Sequence, residues 1–146
     1  MSSSLGLPVI AGFASGIALI VIFSFFTLSS DHAGNEILVV LIPEGSSLES
    51  NPPFLVPDVI KVKIGVNNTV RWINQDKVPH SVISDTGYSD PVTGASFGTL
   101  ESNGQLAGGF MREGASYEFT FRETGEFGYH GEPHPWMQGT VIVLAP

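Results

Sequence analysis

The chain has 146 residues, of which only 14% are charged, with fourteen acids against six bases and a formal net charge of −8. Every charged residue lies after position 30, and an acidic segment without a basic stripe excludes nucleic acid as a partner. No cysteine is present, which excludes disulfides, thiolate zinc sites and iron–sulfur clusters.

The first element is an uncharged run from Leu5 to Leu28, dominated by Ile, Leu, Val, Phe, Ala and Gly. Twenty-odd helical residues at ~1.5 Å each span the ~30 Å of bilayer hydrocarbon. A secretory signal peptide would show a basic start, a shorter apolar core and an Ala-x-Ala-like exit. Here the start is Met-Ser-Ser-Ser and the exit is Thr27-Leu-Ser-Ser-Asp-His-Ala33, so residues 1–30 are expected to be a retained anchor or uncleaved signal in contact with membrane lipid. Gly12 and Gly16 form a small-xxx-small pair, a weak helix-packing signal. Orientation cannot be taken from basic residues, because the first of them is Lys61.

After a juncture at residues 31–35 the pattern changes to short alternating runs, expected as one domain over residues 36–146. Ile37–Ile42, Val59–Ile64, Thr69–Ile73, His80–Ser84, Ser116–Phe121, Glu126–Tyr129 and Thr140–Leu144 are strand-length and rich in β-branched or aromatic residues. Glu44–Pro57 and Asp85–Gly109 are Pro-, Ser- or Gly-rich and read as loops. Roughly seven or eight short strands without a helix predict an all-β Greek-key sandwich.

Chemistry-bearing residues gather at strand ends. Pro79-His80 follows Thr69-Val-Arg-Trp-Ile-Asn-Gln-Asp76, and Tyr129-His-Gly-Glu-Pro-His134-Pro-Trp-Met137 precedes the last strand. Taken singly, each has a plainer reading: a surface histidine, a gap-filling Met137, a packing Trp136. Together, in this order, they resemble the cupredoxin family, the plastocyanin- and amicyanin-like blue copper proteins. The resemblance spans roughly Glu36 to Leu144. It implies one copper ion, with His80 and His134 as imidazole ligands and Met137 as a weak axial thioether. The family's late loop runs Cys-x-x-His-x-x-Met, and counting back from His134 places Gly131 at the thiolate position. A site without the thiolate is expected to bind copper more weakly and with altered geometry, since the copper–sulfur bond defines the blue centre.

His130 is a further candidate. In an ideal strand it points opposite to Gly131, away from the metal, whereas a bulge or one-residue slip would turn it inward. His130, Glu132 and His134 also share a face if the segment stays extended. His32 is isolated. The resemblance places the soluble part on the extracytoplasmic face of the cytoplasmic membrane, single-pass, with a redox or copper-donor protein as partner. Copper handling is the expected role. One-electron transfer, a metal-free interaction module and, last, a small copper oxidoreductase remain alternatives, and no metal-independent catalytic constellation is visible.

Overall fold

The computed structural model describes residues 35–98 and 109–146. The anchor expected over Leu5–Leu28, the Gly12/Gly16 pair, His32 and residues 99–108 of the second loop lie outside the described residues. Among the described residues no helix is long and apolar enough to cross a membrane.

Seven strands form among the described residues: β1 (Ile37–Ile42), β2 (Val59–Lys63), β3 (Thr69–Asn74), β4 (Ile83–Ser84), β5 (Ser116–Thr120), β6 (Gly125–His130) and β7 (Gln138–Leu144). One sheet has the order β1-β3-β5 and the other β2-β7-β6-β4. β1 runs parallel to β3, and β5 runs antiparallel to it. In the second sheet β7 lies between parallel β2 and antiparallel β6. The all-β sandwich expected from the alternating runs is therefore present, with no helix among the described residues.

Period-two burial drives this arrangement. In β2, Ile60 and Val62 turn inward while Val59, Lys61 and Lys63 face water. In β7, Val141 and Val143 are buried, and Gly139 between the sheets leaves room for the ring of Tyr129 on β6, which a Cβ there would strike. Trp72 on β3 is fully buried at the centre, with Phe97, Tyr117 and Tyr129 ringed about it at 5.4–5.6 Å. Aromatic contacts of this kind add about 0.5–1.5 kcal/mol each beyond the area they bury.

One expectation needs correction. The strand read over His80–Ser84 contracts to Ile83–Ser84, because Ser81 directs its hydroxyl across to Glu132 and His80 pairs only as an isolated bridge with Met111. The second loop is more than a connection. It supplies Phe97, fully buried against Phe119 and Phe121, and Asp90, buried in an ion pair with Arg122.

Candidate metal centre

The two candidate segments meet at one end of the sandwich. β3 ends at Asn74, whose buried amide donates to Val78 O (2.9 Å) and Met111 O (2.8 Å) and whose Oδ1 accepts from Asp76 N (2.9 Å). That wraps residues 74–79 into a tight turn and delivers His80. His80 is then clamped by reciprocal backbone bonds with Met111, 3.1 and 2.7 Å. The second segment is the loop between β6 and β7, closed by Gly131 N donating to Met137 O (2.9 Å) and Met137 N donating to His134 O (3.0 Å). Two outside contacts hold this loop: Glu132 N donates to Ser81 Oγ (3.1 Å), and Trp136 Nε1 donates to Ser46 O (3.1 Å).

Within this frame the imidazoles of His80 and His134 converge, Nδ1 to Nδ1, at 3.2 Å. His80 is fully buried and Met137 is 1% exposed, while His134 is half-buried beside Trp136. The other nitrogen of His80, Nε2, lies 2.8 Å from Asp76 Oδ2. Asp76 also accepts from Gly45 N (3.1 Å) and Lys77 N (2.8 Å) on Oδ1 and from Ser47 N (3.1 Å) on Oδ2. Burial pushes its carboxyl pKa upward, but the bonds from His80, Gly45 and Ser47 outweigh that and hold it well below the usual carboxylate range. An ionised carboxylate only accepts, so His80 Nε2 carries a proton, and in the neutral ring Nδ1 is the atom that presents a lone pair.

That tautomer decides what the pair can do. The lone pair of His80 faces the second ring across 3.2 Å, so a proton on His134 or a cation must lie between them. Two nitrogens each about 2.0 Å from one ion, at an angle of about 105°, are separated by that same distance. Burial, followed by the neighbouring His80, pushes the His134 pKa below its usual range, with Asp76 opposing, which favours the neutral form of the ring. The residues present therefore fit a metal ion held by two imidazoles. Among the described residues no group of three or more His, Cys, Asp or Glu side chains is arranged for one.

The structure brings together His80, His134 and, through the closed loop, Met137 and Gly131. It puts His130 elsewhere: Nδ1 lies 2.6 Å from Asp85 Oδ1 and Nε2 lies 3.5 Å from Glu132 Oε1. Both ring nitrogens thus face carboxylates, and His134 joins His80 instead of sharing a face with His130 and Glu132. Sequence reasoning missed Asp76, Asn74, Ser81 and Ser46. Only Asp76 left a signal, an acid four positions before the first histidine; the others act through contacts between segments distant in sequence.

The family described as copper binding proteins, plastocyanin/azurin family, matches residues 49–144. Amicyanin of Paracoccus denitrificans is 34% identical over 96 residues, covering 61% of this chain and 64% of that protein. Plastocyanin of Scenedesmus fuscus is 32% identical over 89 residues, covering 60% of this chain and 83% of its own length. The chain thus spans less than two thirds of the length of the amicyanins it matches. A solved structure of the purple cupredoxin from Nitrosopumilus maritimus aligns with a TM-score of 0.54 at 28% identity, over 73% of this chain and 99% of that one. With a seven-stranded sandwich among the described residues, two imidazoles converging at its end and a family match that covers both histidine-bearing segments, the chain belongs to the plastocyanin/azurin family of copper-binding proteins.

Proposed function

We propose that this protein is a membrane-tethered copper handler that takes up one copper ion through His80, His134 and Met137, with Gly131 standing where the family's thiolate would be. The observation that carries the reading is the 3.2 Å approach of the two Nδ1 atoms with His80 Nε2 anchored on Asp76. Copper supplies an exchangeable, one-electron-active cargo. The chain's residues do the remaining work. Asp76 selects the His80 tautomer, Asn74 sets the turn that delivers it, and Ser81 and Ser46 pin the loop that carries His134 and Met137. Half-buried His134 is the side from which the ion enters and leaves, since His80 and Met137 are closed off from water. Copper handling is favoured over electron transfer because, without a thiolate, the ligand set must rearrange between oxidation states.

Titration of the soluble fragment from Glu36 onward with Cu(II) is expected to give a pale protein without the intense thiolate band near ~600 nm and with ordinary, large EPR hyperfine splitting. His80→Ala or His134→Ala should abolish binding. A deep blue protein, or unchanged binding in both variants, would overturn the reading.

The tether is a separate part of the proposal, resting on the apolar run Leu5–Leu28 and, for the extracytoplasmic placement, on family resemblance. The full chain is expected to stay with the membrane fraction through alkaline carbonate extraction, while the fragment from Glu36 stays in the aqueous phase. Recovery of the full chain in the aqueous fraction would remove the anchor.

A further inference from the structure

The Met137 side chain packs directly against Gly131. A Cβ built on Gly131 would lie 3.2 Å from Met137 Cβ, 3.3 Å from Met137 Sδ and 3.5 Å from His134 O. The first two distances are tighter than side chains normally tolerate, so the Met137 thioether occupies space that a residue at 131 would need. The position is buried. Met137 cannot swing its backbone away either, because its N–H and C=O are both bonded within the loop, to His134 O and Gly131 N. The sulfur of Met137 therefore stands beside the missing thiolate's place, on the same loop as His134.

Charge gives an independent argument. Two neutral imidazoles and a thioether contribute no charge, and the one buried acid behind them is Asp76, 3% exposed and bonded to His80. The set as a whole carries one negative charge, which a monovalent ion neutralises and a divalent ion exceeds. Charge left uncompensated in such a buried site carries a desolvation penalty. A thioether is also a soft donor, and soft sulfur ligands select Cu(I).

We infer that Met137 is a principal sulfur ligand rather than a weak axial one, and that the site is selective for a soft monovalent ion, Cu(I). This rests on the copper-handling reading above and names its cargo. Met137 donates a lone pair, and nothing is oxidised or reduced in the binding step.

The test uses the full chain in detergent, titrated under reducing conditions with Cu(I) against a chromophoric chelator, and separately with Cu(II) and Ag(I). Met137→Leu conserves volume and should fold. It is expected to lower Cu(I) and Ag(I) affinity on the order of 100-fold while Cu(II) affinity shifts by less than about threefold, as loss of one soft donor requires. Gly131→Ala, whose Cβ pushes the thioether back, should lower Cu(I) affinity in the same direction. X-ray absorption of the Cu(I) form should show a sulfur at about 2.3 Å, a bonding metal–sulfur length. Equal effects of Met137→Leu on Cu(I) and Cu(II), or no sulfur in the absorption spectrum, would overturn the inference and leave copper binding by the histidines standing. Failure of the unsubstituted chain to bind either ion, or Cu(I) binding that survives His80→Ala, would instead overturn the copper-handling reading.

Discussion

Gly131→Cys is expected to turn the protein blue when Cu(II) is added. Gly131 lies outside the left-handed region that several other glycines of this chain occupy, so its backbone accepts an L side chain. The obstacle is Met137, 3.2 and 3.3 Å from the new Cβ. A methionine has three rotatable side-chain bonds, and a retreat of a few tenths of an ångström relieves the contact at a cost of about 1 kcal/mol. The thiolate then joins two imidazoles already held 3.2 Å apart. That set supplies the thiolate charge-transfer band and narrow hyperfine splitting of a His₂Cys centre. Cu(II) affinity is expected to rise on the order of 100-fold, about 2.8 kcal/mol. Optical and EPR titration reads both effects. A folded, colourless variant would mean that the two histidines do not face the 131 position, and the proposed ligand set would fall with it.

Replacing Asp76 should do the greatest damage away from the ligands themselves. Asp76→Ala leaves four donors without their acceptor: Gly45 N, Ser47 N, Lys77 N and His80 Nε2. Breaking a buried charged group's bonds costs about 3–5 kcal/mol, which lowers the midpoint of thermal unfolding by roughly 10–20 °C in a domain of this size. The depressed carboxyl also sets a pH dependence. Its contribution is complete well above the ordinary value of 3.8 and is lost as pH falls below it, because the unfolded chain then binds a proton that the folded chain resists. Wild type should therefore lose stability between pH 5 and 3 (roughly) more steeply than Asp76→Ala. Asp76→Asn separates stability from chemistry. An amide can place its oxygen toward only one set of donors, so either Gly45 and Lys77 or Ser47 and His80 meet an NH₂ group. With the NH₂ facing His80, Nε2 becomes the acceptor and Nδ1 carries the proton, which disables it as a ligand. Copper affinity is expected to fall about 10–100-fold, the usual effect of removing an orienting partner, with melting temperature between those of wild type and Asp76→Ala. Copper affinity unchanged in both Asp76→Asn and Asp76→Ala would show that Asp76 does not choose the tautomer.

Much of the architecture follows from local pattern. Alternation in Val59-Ile-Lys-Val-Lys63 can bury only one face of an extended chain, and the structure buries that face. Turn residues such as Gly65-Val-Asn-Asn68 end the runs where the strands end. The order His80, His134, Met137 is likewise readable, because spacing within a tight loop is a short-range property. The ends of elements were less legible. His80 left its strand because Pro79 and the amide of Asn74 bend the chain there, and Ser81 found a partner fifty-one residues away.

What pattern could not reveal were matters of contact between distant segments. Phe97 sits in a stretch rich in Gly, Ser and Asp, yet it closes the core against Trp72 and Phe119, since only the packed sheets create the space that it fills. His130 and His134 look alike in the sequence. The fold separates them, giving one to Asp85 and Glu132 and the other to His80. The same holds for Gly131, where composition shows only that the chain has no cysteine. That a neighbouring thioether leans into the space follows from the closure of one loop by two backbone bonds, a three-dimensional constraint with no trace in residue order. Periodicity reports which face of a strand is dry, whereas tautomers, ligand approach and charge balance depend on which atoms the packed sheets bring within about 3 Å of one another.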